Sequence, residues 1–241
     1  DTWDVICFGG LTTTYKYIKK ISESAKALSP TAKQVLGGGV LTSMPRDIMG
    51  WLSAVDIGVI GEAYITFPEV LDHLSGRSAT PLSEIKGIIH RADDGLRMTE
   101  VRPNLHDIDS LPWPAWDLFP MEEVYFKNSA SLFSEEAFEA KRRIDINASY
   151  GCHLVCRYCW HLGTTGDMIT VGDTDEDRDV AFTYGRNIRY HSPDYIVSMV
   201  RYLKDTYDVD QVTFLDENLM TVDVFSGRTW LKELCEKWIA A

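Results

Sequence analysis

The chain has 241 residues, 45% hydrophobic and 25% charged, as expected for a globular protein with room for two domains. Its net charge of −12 argues against a nucleic-acid surface, because phosphate contacts need clustered Lys and Arg. No apolar run has the length of a membrane span, no signal peptide opens the chain, and three of the five cysteines are bunched rather than spread as a disulfide framework. We therefore expect a cytoplasmic protein without a membrane span.

Residues 1–76 alternate between short apolar runs and helical patterns. Strands are predicted at Trp3–Phe8, Lys33–Leu36 and Val55–Ile60, and helices at Tyr15–Leu28, Asp47–Leu52 and Thr66–Leu74. This alternation predicts an α/β fold with a doubly wound, Rossmann-like parallel sheet, in which ligands bind at the carboxyl ends of the strands. Cys7, in the first strand, and Cys235, in the last helix, are expected to be core residues.

Glycines follow each of the predicted strands of this domain, at Gly9-Gly10, Gly37–Gly39 and Gly61. Glycine there permits either a tight turn or the close approach of the backbone to a ligand, and the sequence leaves both open. No G-x-G-x-x-G follows the first strand, which argues against a dinucleotide site.

Residues 77–142 form a predicted connector. Ile85–Arg91 and Leu96–Val101 flank Asp93-Asp94-Gly95, which is typical of a hairpin. Asp109–Pro120 contains prolines that forbid a regular element, together with Trp113, Trp116 and Phe119, which need burial. An extended strap across a domain interface is predicted, and an exposed or partner-binding tryptophan patch is the alternative.

Residues 143–241 begin with a predicted strand, Arg143–Ser149, and a loop that holds Cys152, Cys156 and Cys159 at C-x3-C-x2-C spacing. A short loop brings three soft thiolates to one metal centre at little entropic cost. A zinc site that adds His153 or His161 is one alternative, and a buried cysteine stripe on a helix is another.

After the cysteines, Gly163–Phe182 is polar and acidic and predicts a surface excursion. A helix is predicted from Pro193 with Ser192 as its cap, then a strand at Gln211–Asp216 and a helix at Thr229–Ile239. Because the chain starts at Asp1 next to an apolar strand and stops at Ala241 without a helix stop signal, we expect a fragment cut at both ends.

The C-x3-C-x2-C loop after the first strand of a partial (β/α) barrel resembles that of radical S-adenosylmethionine (SAM) enzymes. The resemblance implies that Cys152, Cys156 and Cys159 hold a [4Fe-4S] cluster whose open iron binds SAM, which is then cleaved to a 5′-deoxyadenosyl radical. Tyr158 fits the family pattern. An electron donor such as flavodoxin or ferredoxin is implied as a partner.

Three further residues are expected near SAM by the same resemblance. Glu217 is the first choice for the SAM amino group and Asp216 the second, since both lie at the carboxyl end of the second barrel strand. An acid there can equally cap the next helix. Arg189 is expected either to reach the SAM carboxylate or to pair with local acids.

The phrases Leu36–Gly39 and Asp56–Glu62 resemble the N-terminal cobalamin-binding domain of one radical SAM subclass, without its first two strands. The implied cobalamin contacts are Gly9, Gly10, Thr12 and Thr13 near the corrin, Gly37 and Gly38 at the nucleotide tail, and Gly61 and Glu62. No D-x-H-x-x-G is present, so the lower ligand of cobalt is not identified.

The expected activity is cobalamin-dependent methyl transfer to an unactivated carbon. Ring-forming or rearranging radical chemistry is the alternative within the family, and a zinc- or cluster-stabilised interaction module is the alternative outside it. No residue pattern identifies the substrate. The predicted organisation is a cobalamin-binding domain at 1–76, a connector at 77–142 and the start of a radical SAM domain at 143–241.

Overall fold

The structure is a computed structural model that describes residues 3–128, 140–154, 156, 167–183 and 188–241. Within these residues, the strands are β1 Val5–Gly9, β2 Lys33–Gly37, β3 Ile57–Val59, β4 Ile88–Ala92, β5 Gly95–Met98, β6 Arg143–Ile146, β7 Ser149–Tyr150, β8 Met168–Val171, β9 Asp179–Phe182, β10 Arg189–Tyr190 and β11 Gln211–Phe214. The helices are α1 Tyr15–Leu28, α2 Gly39–Thr42, α3 Pro45–Trp51, α4 Ala63–Leu74, α5 Pro193–Tyr207, α6 Met220–Phe225 and α7 Trp230–Ala240. None of these described helices is long and apolar enough to cross a membrane.

The chain divides into two compact units. The first extends to Leu105 and also contains the described residues 167–183. The second contains the described residues 106–128, 140–154, 156 and 188–241.

The first unit is built on a five-stranded sheet in the order β1-β2-β3-β4-β5. The strands β1, β2 and β3 are parallel, and Gly9 lies opposite Gly37 at the shared carboxyl edge of β1 and β2. The hairpin predicted around Asp93–Gly95 is present, and its strands β4 and β5 add two antiparallel strands to this sheet.

Helices cover both faces of the sheet. On one face, Ile18 of α1 and Met49 of α3 pack with Leu36 and Leu41 in one buried cluster. On the other face, Val70 of α4 packs in a second cluster with Val35, Ile57 and Val59, among others. The predicted α/β class with a doubly wound, parallel-rich sheet is therefore confirmed.

The 167–183 segment is a β8–β9 hairpin within the first unit. The sequence predicts only a surface excursion here, whereas Met168 and Val180 pack against the core of the sheet. Backbone N–H groups of Met98 and Val101 donate to Asp175 O and Thr170 Oγ1, at 2.9 and 3.0 Å. Polar composition did not reveal this docking, because polar groups of the segment also take part in it, among them Asp175 and Glu176, which pair with Arg97.

The second unit contains two short strand pairs, a parallel pair of β6 with β11 and an antiparallel pair of β7 with β10. Helix α5 starts as predicted, with Pro193 in its first turn and the Ser192 hydroxyl accepting from the Tyr195 N–H at 3.2 Å. Three of its side chains, Ile196, Met199 and Leu203, are buried and pack with Ile144 and other residues in one core.

The strap packs onto this same core. Trp116 is 7% exposed, and Trp113 lies 5.3 Å from the Tyr202 ring, so these two tryptophans do not form an exposed patch. Phe119, which was expected to be buried as well, is exposed. It follows the short helical turn at Trp116–Leu118, which directs only the tryptophan to the core.

Both cysteines outside the loop are exposed, so their prediction as core residues was wrong. Cys7 lies on the edge strand β1, and Cys235 lies on α7 next to the buried Leu234 but on another side of that helix. An apolar sequence context did not distinguish the two faces of these elements.

Candidate functional site

The carboxyl ends of β1 and β2 are shaped by two glycines whose backbones touch. Gly38 has φ +84°, and a Cβ there would lie 3.0 Å from both the N and the O of Gly10. Gly10 O also accepts a hydrogen bond from Val40 N at 3.1 Å. At Gly38 only glycine fits without strain, since the backbone is left-handed and the space is filled by backbone.

The two neighbouring glycines are open instead. A Cβ on Gly9 would meet no atom within 4 Å, and one on Gly37 would meet only Val59 O at 3.9 Å. Thr12 and Thr13, in the turn after β1, are exposed. This edge therefore presents bare backbone and hydroxyl groups that a ligand can approach closely.

Large apolar side chains are exposed in the segments that follow the parallel strands. Leu11 follows β1, Met44 follows α2, and Tyr64 and Ile65 lie in the first turn of α4 after β3. Leu11 is 66% and Met44 52% exposed. Exposed apolar groups beside an open backbone edge suit a ligand that combines an apolar body with hydrogen-bonding groups.

Gly61 and Glu62, the third predicted element, are engaged within the first unit. Gly61 has φ +74°, its N–H donates to Thr42 Oγ1 at 3.0 Å, and a Cβ there would clash with Met168 Cε. A Glu62 carboxylate oxygen accepts from Leu105 N at 3.1 Å. The structure thus gives both residues a role in the fold, and their role toward a ligand stays a prediction.

The cysteine loop leaves the carboxyl end of β6 through β7. Gly151 is buried and has φ +103°, a left-handed backbone conformation in which glycine lets the chain turn out of the strand. Cys152 is 8% exposed and Cys156 is half-buried. Cys159, Tyr158 and His161 lie outside the described residues, and within those residues no group of three His, Cys, Asp or Glu side chains is placed to hold a metal ion.

Both predicted acids at the end of β11 contact the backbone that leads into this loop. Asp216 Oδ2 accepts from Ala148 N at 3.0 Å, and Asp216 Oδ1 accepts from the Ser149 hydroxyl. Glu217 Oε2 accepts from Gly151 N at 3.3 Å. The strand end therefore supports the entry to the cysteine loop, a contact that the sequence did not predict.

His153, an alternative zinc ligand, is held by a hydrogen bond between its Nδ1 and Thr221 Oγ1 at 2.8 Å. Arg189 is buried, and its guanidinium lies 5.3 Å from the centre of the Tyr150 ring. The roles predicted for Arg189 toward SAM or toward local acids stay predictions.

Two polar residues that sequence reasoning missed lie next to this region. His191 is buried, its Nδ1 lies 2.9 Å from Asp109 Oδ1, and its ring stacks on Tyr195. Burial lowers the pKa of His191. Although burial raises the pKa of Asp109, hydrogen bonds from Ser192 and His191 outweigh it and lower that pKa overall. The sequence shows Asp109 at the start of the strap, but no local pattern connects it with His191, which lies 82 residues further along the chain.

Known proteins are similar to this chain both in its first part and along most of its length. Residues 2–71 match the family model of the B12 binding domain. An uncharacterised methyltransferase of Pyrococcus horikoshii is 24% identical over 215 residues, which are 89% of this chain and 39% of the relative. The cytidylyl-2-hydroxyethylphosphonate methyltransferase of Streptomyces wedmorensis is 23% identical over 218 residues, 81% of this chain and 36% of the relative.

Among solved structures, the fold is similar to that of TsrM from Kitasatospora setae, a radical S-adenosylmethionine methyltransferase. The TsrM structure with cobalamin and a [4Fe-4S] cluster bound has a TM-score of 0.64 at 12% identity and covers 100% of this chain and 42% of TsrM. The structure with tryptophan and a SAM analogue bound has a TM-score of 0.63 at 14% identity and covers 99% of this chain and 41% of TsrM.

The chain thus spans about two fifths of the length of the relatives that it matches. A B12 binding domain model, two methyltransferases and the TsrM fold all agree with the motifs of the sequence. The predicted resemblance of this chain to the cobalamin-binding radical SAM family is confirmed.

Proposed function

We propose that this chain is the cobalamin-binding and cluster-binding part of a cobalamin-dependent radical SAM methyltransferase. The observation that carries the proposal is the combination in one chain of a B12 binding domain match over residues 2–71 with a C-x3-C-x2-C loop after strand β6. A fold similarity to TsrM over both parts supports it.

In the first unit, Gly9 and Gly37 would let the backbone approach cobalamin, because neither position has a neighbour in the way. Gly10 and Gly38 would fix the turn that presents them. The exposed Leu11 and Met44 would contact the apolar parts of the ligand, and the hydroxyl groups of Thr12 and Thr13 would meet its polar substituents.

In the second unit, Cys152, Cys156 and Cys159 would hold a [4Fe-4S] cluster, whose preferred ligands are cysteine thiolates. The burial of Cys152 fits a centre that is shielded from water. When bound, the cluster, SAM and cobalamin supply the electron, the radical and the methyl group of the reaction. The protein's share is to hold the thiolates, to exclude water and to orient the bound groups.

Methyl transfer is favoured over the ring-forming alternative because both curated relatives are named as methyltransferases. Tyr158 and Arg189 stay part of the proposed SAM site, with Glu217 as the partner of its amino group. Flavodoxin or ferredoxin stays the proposed class of electron donor. The bound substrate carbon is proposed to be unactivated.

The proposal is tested with the full-length protein, purified and reconstituted without oxygen. We expect bound iron, sulfide and cobalt, and an EPR signal of the reduced cluster that shifts when SAM is added. With methyl-labelled SAM, a reductant and a candidate substrate, label should reach the product.

Two results would contradict the proposal. A protein that retains zinc without iron would show Cys152, Cys156 and Cys159 to be structural and would favour the interaction module. A loaded protein that cleaves SAM and converts its substrate without methyl incorporation would favour cyclase or rearrangement chemistry.

A further inference from the structure

The parallel pair β6–β11 is clamped by an aspartate at each end. At the amino end, Asp210 Oδ2 and Oδ1 accept from Lys141 N and Arg142 N, each at 2.9 Å. At the carboxyl end, Leu215 N still donates to Ile146 O at 2.8 Å, and the Asp216 carboxylate then continues the ladder. One clamp lies away from the cysteine loop in sequence, and the other lies at its entry.

Both oxygens of Asp216 are used in this clamp. Oδ2 accepts from the backbone of Ala148, and Oδ1 accepts from the hydroxyl of Ser149. Ala148 and Ser149 are each fully buried, so both donors would lose their hydrogen bond and find no water without this carboxylate. Only Tyr150 and Gly151 separate Ser149 from Cys152.

Glu217 differs from Asp216 in its exposure and in its hydrogen bonds. It is exposed, its contact with Gly151 N is longer at 3.3 Å, and it engages that group through Oε2. Helix α6 begins after Leu219 without a side-chain cap, and Met220 N donates to Asn218 Oδ1 at 3.1 Å. The described contacts of Asp216 and Glu217 are with residues 148–151, so they do not support the helix-cap alternative raised by the sequence.

We propose that Asp216 is a positioning residue that fixes the entry to the cysteine loop through Ala148 and Ser149 and does not itself contact SAM. This inference deepens the proposed function and rests on it for the cluster and SAM. Glu217 was the first and Asp216 the second choice for the SAM amino group, and the contacts of Asp216 with Ala148 and Ser149 favour a different role for it.

The two roles respond differently to loss of charge. A positioning carboxylate can be replaced by an amide, because the Asn oxygen can accept from Ala148 N and the Asn NH₂ can donate to the Ser149 hydroxyl oxygen. A carboxylate that binds an ammonium group loses its electrostatic attraction in the amide variant. Asp216→Asn and Asp216→Ala should therefore separate, whereas Glu217→Gln should resemble Glu217→Ala.

The first measurement uses full-length protein without the cluster and follows the alkylation rate of Cys152 by mass spectrometry. Cys152 is buried, so its rate reports how firmly the loop entry is held, and the half-buried Cys156 is an internal reference. We expect Asp216→Ala to raise the Cys152 rate by about tenfold or more, and Asp216→Asn to change it by less than about threefold. Asp210→Ala removes the matched clamp at the other strand end and should leave the rate within about threefold as well.

The second measurement uses the reconstituted protein and compares iron loss to a chelator with SAM affinity. Asp216→Ala should lose iron faster, with Asp216→Asn rescuing retention, and Glu217→Gln should keep iron but bind SAM more weakly. Ser149→Ala removes one of the two Asp216 contacts and should fall between wild type and Asp216→Ala.

The inference is overturned if Asp216→Asn holds its iron yet loses SAM affinity, or if Asp210→Ala exposes Cys152 as strongly as Asp216→Ala does. If Asp216→Ala does not fold, the comparison of Ser149→Ala with Asp216→Asn decides in the same way. A wild-type protein that binds no iron would contradict the proposed function alone, because the alkylation rates still test whether Asp216 holds the loop.

Discussion

Each unit has a candidate site at the carboxyl edge of its parallel strands, and the two edges are built in opposite ways. In the first unit, the edge at Gly9 and Gly37 is bare backbone with free space around it. In the second unit, Asp216 and Glu217 follow strand β11 and accept hydrogen bonds from the backbone that follows the neighbouring strand β6. One edge leaves room for a ligand to approach, and the other fixes the entry to the cysteine loop.

This difference sets what each edge tolerates. An edge made for close approach should be sensitive to added atoms, since any Cβ takes space from the ligand. An edge made for fixation should be sensitive to removed atoms, since buried donors are then left unpaired. Substitutions at or near each edge should therefore differ in their effects, the largest of which is expected at the cysteine loop.

Loss of a loop thiol should have the largest effect. We expect Cys152→Ala to abolish stable iron binding in the reconstituted full-length protein, because a cluster left with two loop thiolates is not held. Iron and sulfide content after anaerobic reconstitution measures this. Cys235→Ala is the matched control, because Cys235 is exposed on α7 and lies outside the loop. Full iron content in Cys152→Ala would remove this cysteine from the proposed site.

At the glycine edge, two adjacent substitutions should separate folding from ligand binding. Gly38→Ala should lower the free energy of unfolding by about 1–3 kcal/mol, because φ is +84° and the Cβ meets the Gly10 backbone. Gly37→Ala, with open space around it, should change stability by less than about 1 kcal/mol but weaken cobalamin binding.

Urea unfolding and cobalamin titration, both on the full-length protein, measure the two effects. If Gly37→Ala binds cobalamin as wild type does, the open space beside this residue is not part of the ligand site. If Gly38→Ala is as stable as wild type, the contact with Gly10 does not limit this turn.

More of the glycine edge than of the Asp216 edge could be predicted from the sequence, for a physical reason. Glycines, strand periodicity and the cysteine spacing are local patterns, so β1 to β3, the α5 cap at Ser192 and the family resemblance could be predicted. The contact of Asp216 with Ala148 joins residues 68 positions apart, and no local pattern specifies such a pair. Asp216 and Glu217 therefore had the same sequence signature but have different surroundings.

The same limit explains the errors. Gly163–Phe182 is polar along its length, and its docking through Met168 and Val180 depends on a sheet formed some 70 residues earlier. Cys7 has an apolar neighbourhood in sequence, but its exposure follows from the edge position of β1 in the sheet. Sequence patterns indicate which element forms, and tertiary contacts decide which of its faces is covered.

The Gly61–Met168 contact tests whether the glycine edge is open everywhere. Gly61→Ala should lower the free energy of unfolding by about 1–2 kcal/mol, because φ is +74° and the new Cβ meets Met168 Cε. Met168→Ala removes that neighbour, so the double variant should be less destabilised than the sum of the two single ones. Strict additivity in urea unfolding would show that backbone strain alone accounts for Gly61→Ala.

The smallest expected effect concerns the buried His191 and its partner Asp109, in the second unit. Burial lowers the pKa of His191, so below its ordinary value of about 6.5 the unfolded chain binds a proton that the folded protein does not. The pKa of Asp109 is lowered as well, and its contribution is lost at still lower pH. Both lowered pKa values act in the same direction, so the free energy of unfolding should decrease as the pH falls from about 6.5 toward 5.

His191→Gln should flatten this dependence, since an amide does not titrate and can still donate to Asp109. Urea unfolding of wild type and variant at matched pH values measures the difference in slope. Asp109 also accepts from Ser192 N at 3.1 Å, so the strap should stay attached in the variant and the folds should remain comparable. Equal slopes would mean that the titration of His191 does not contribute, and that the Asp109 contact supports the strap at all pH values in this range.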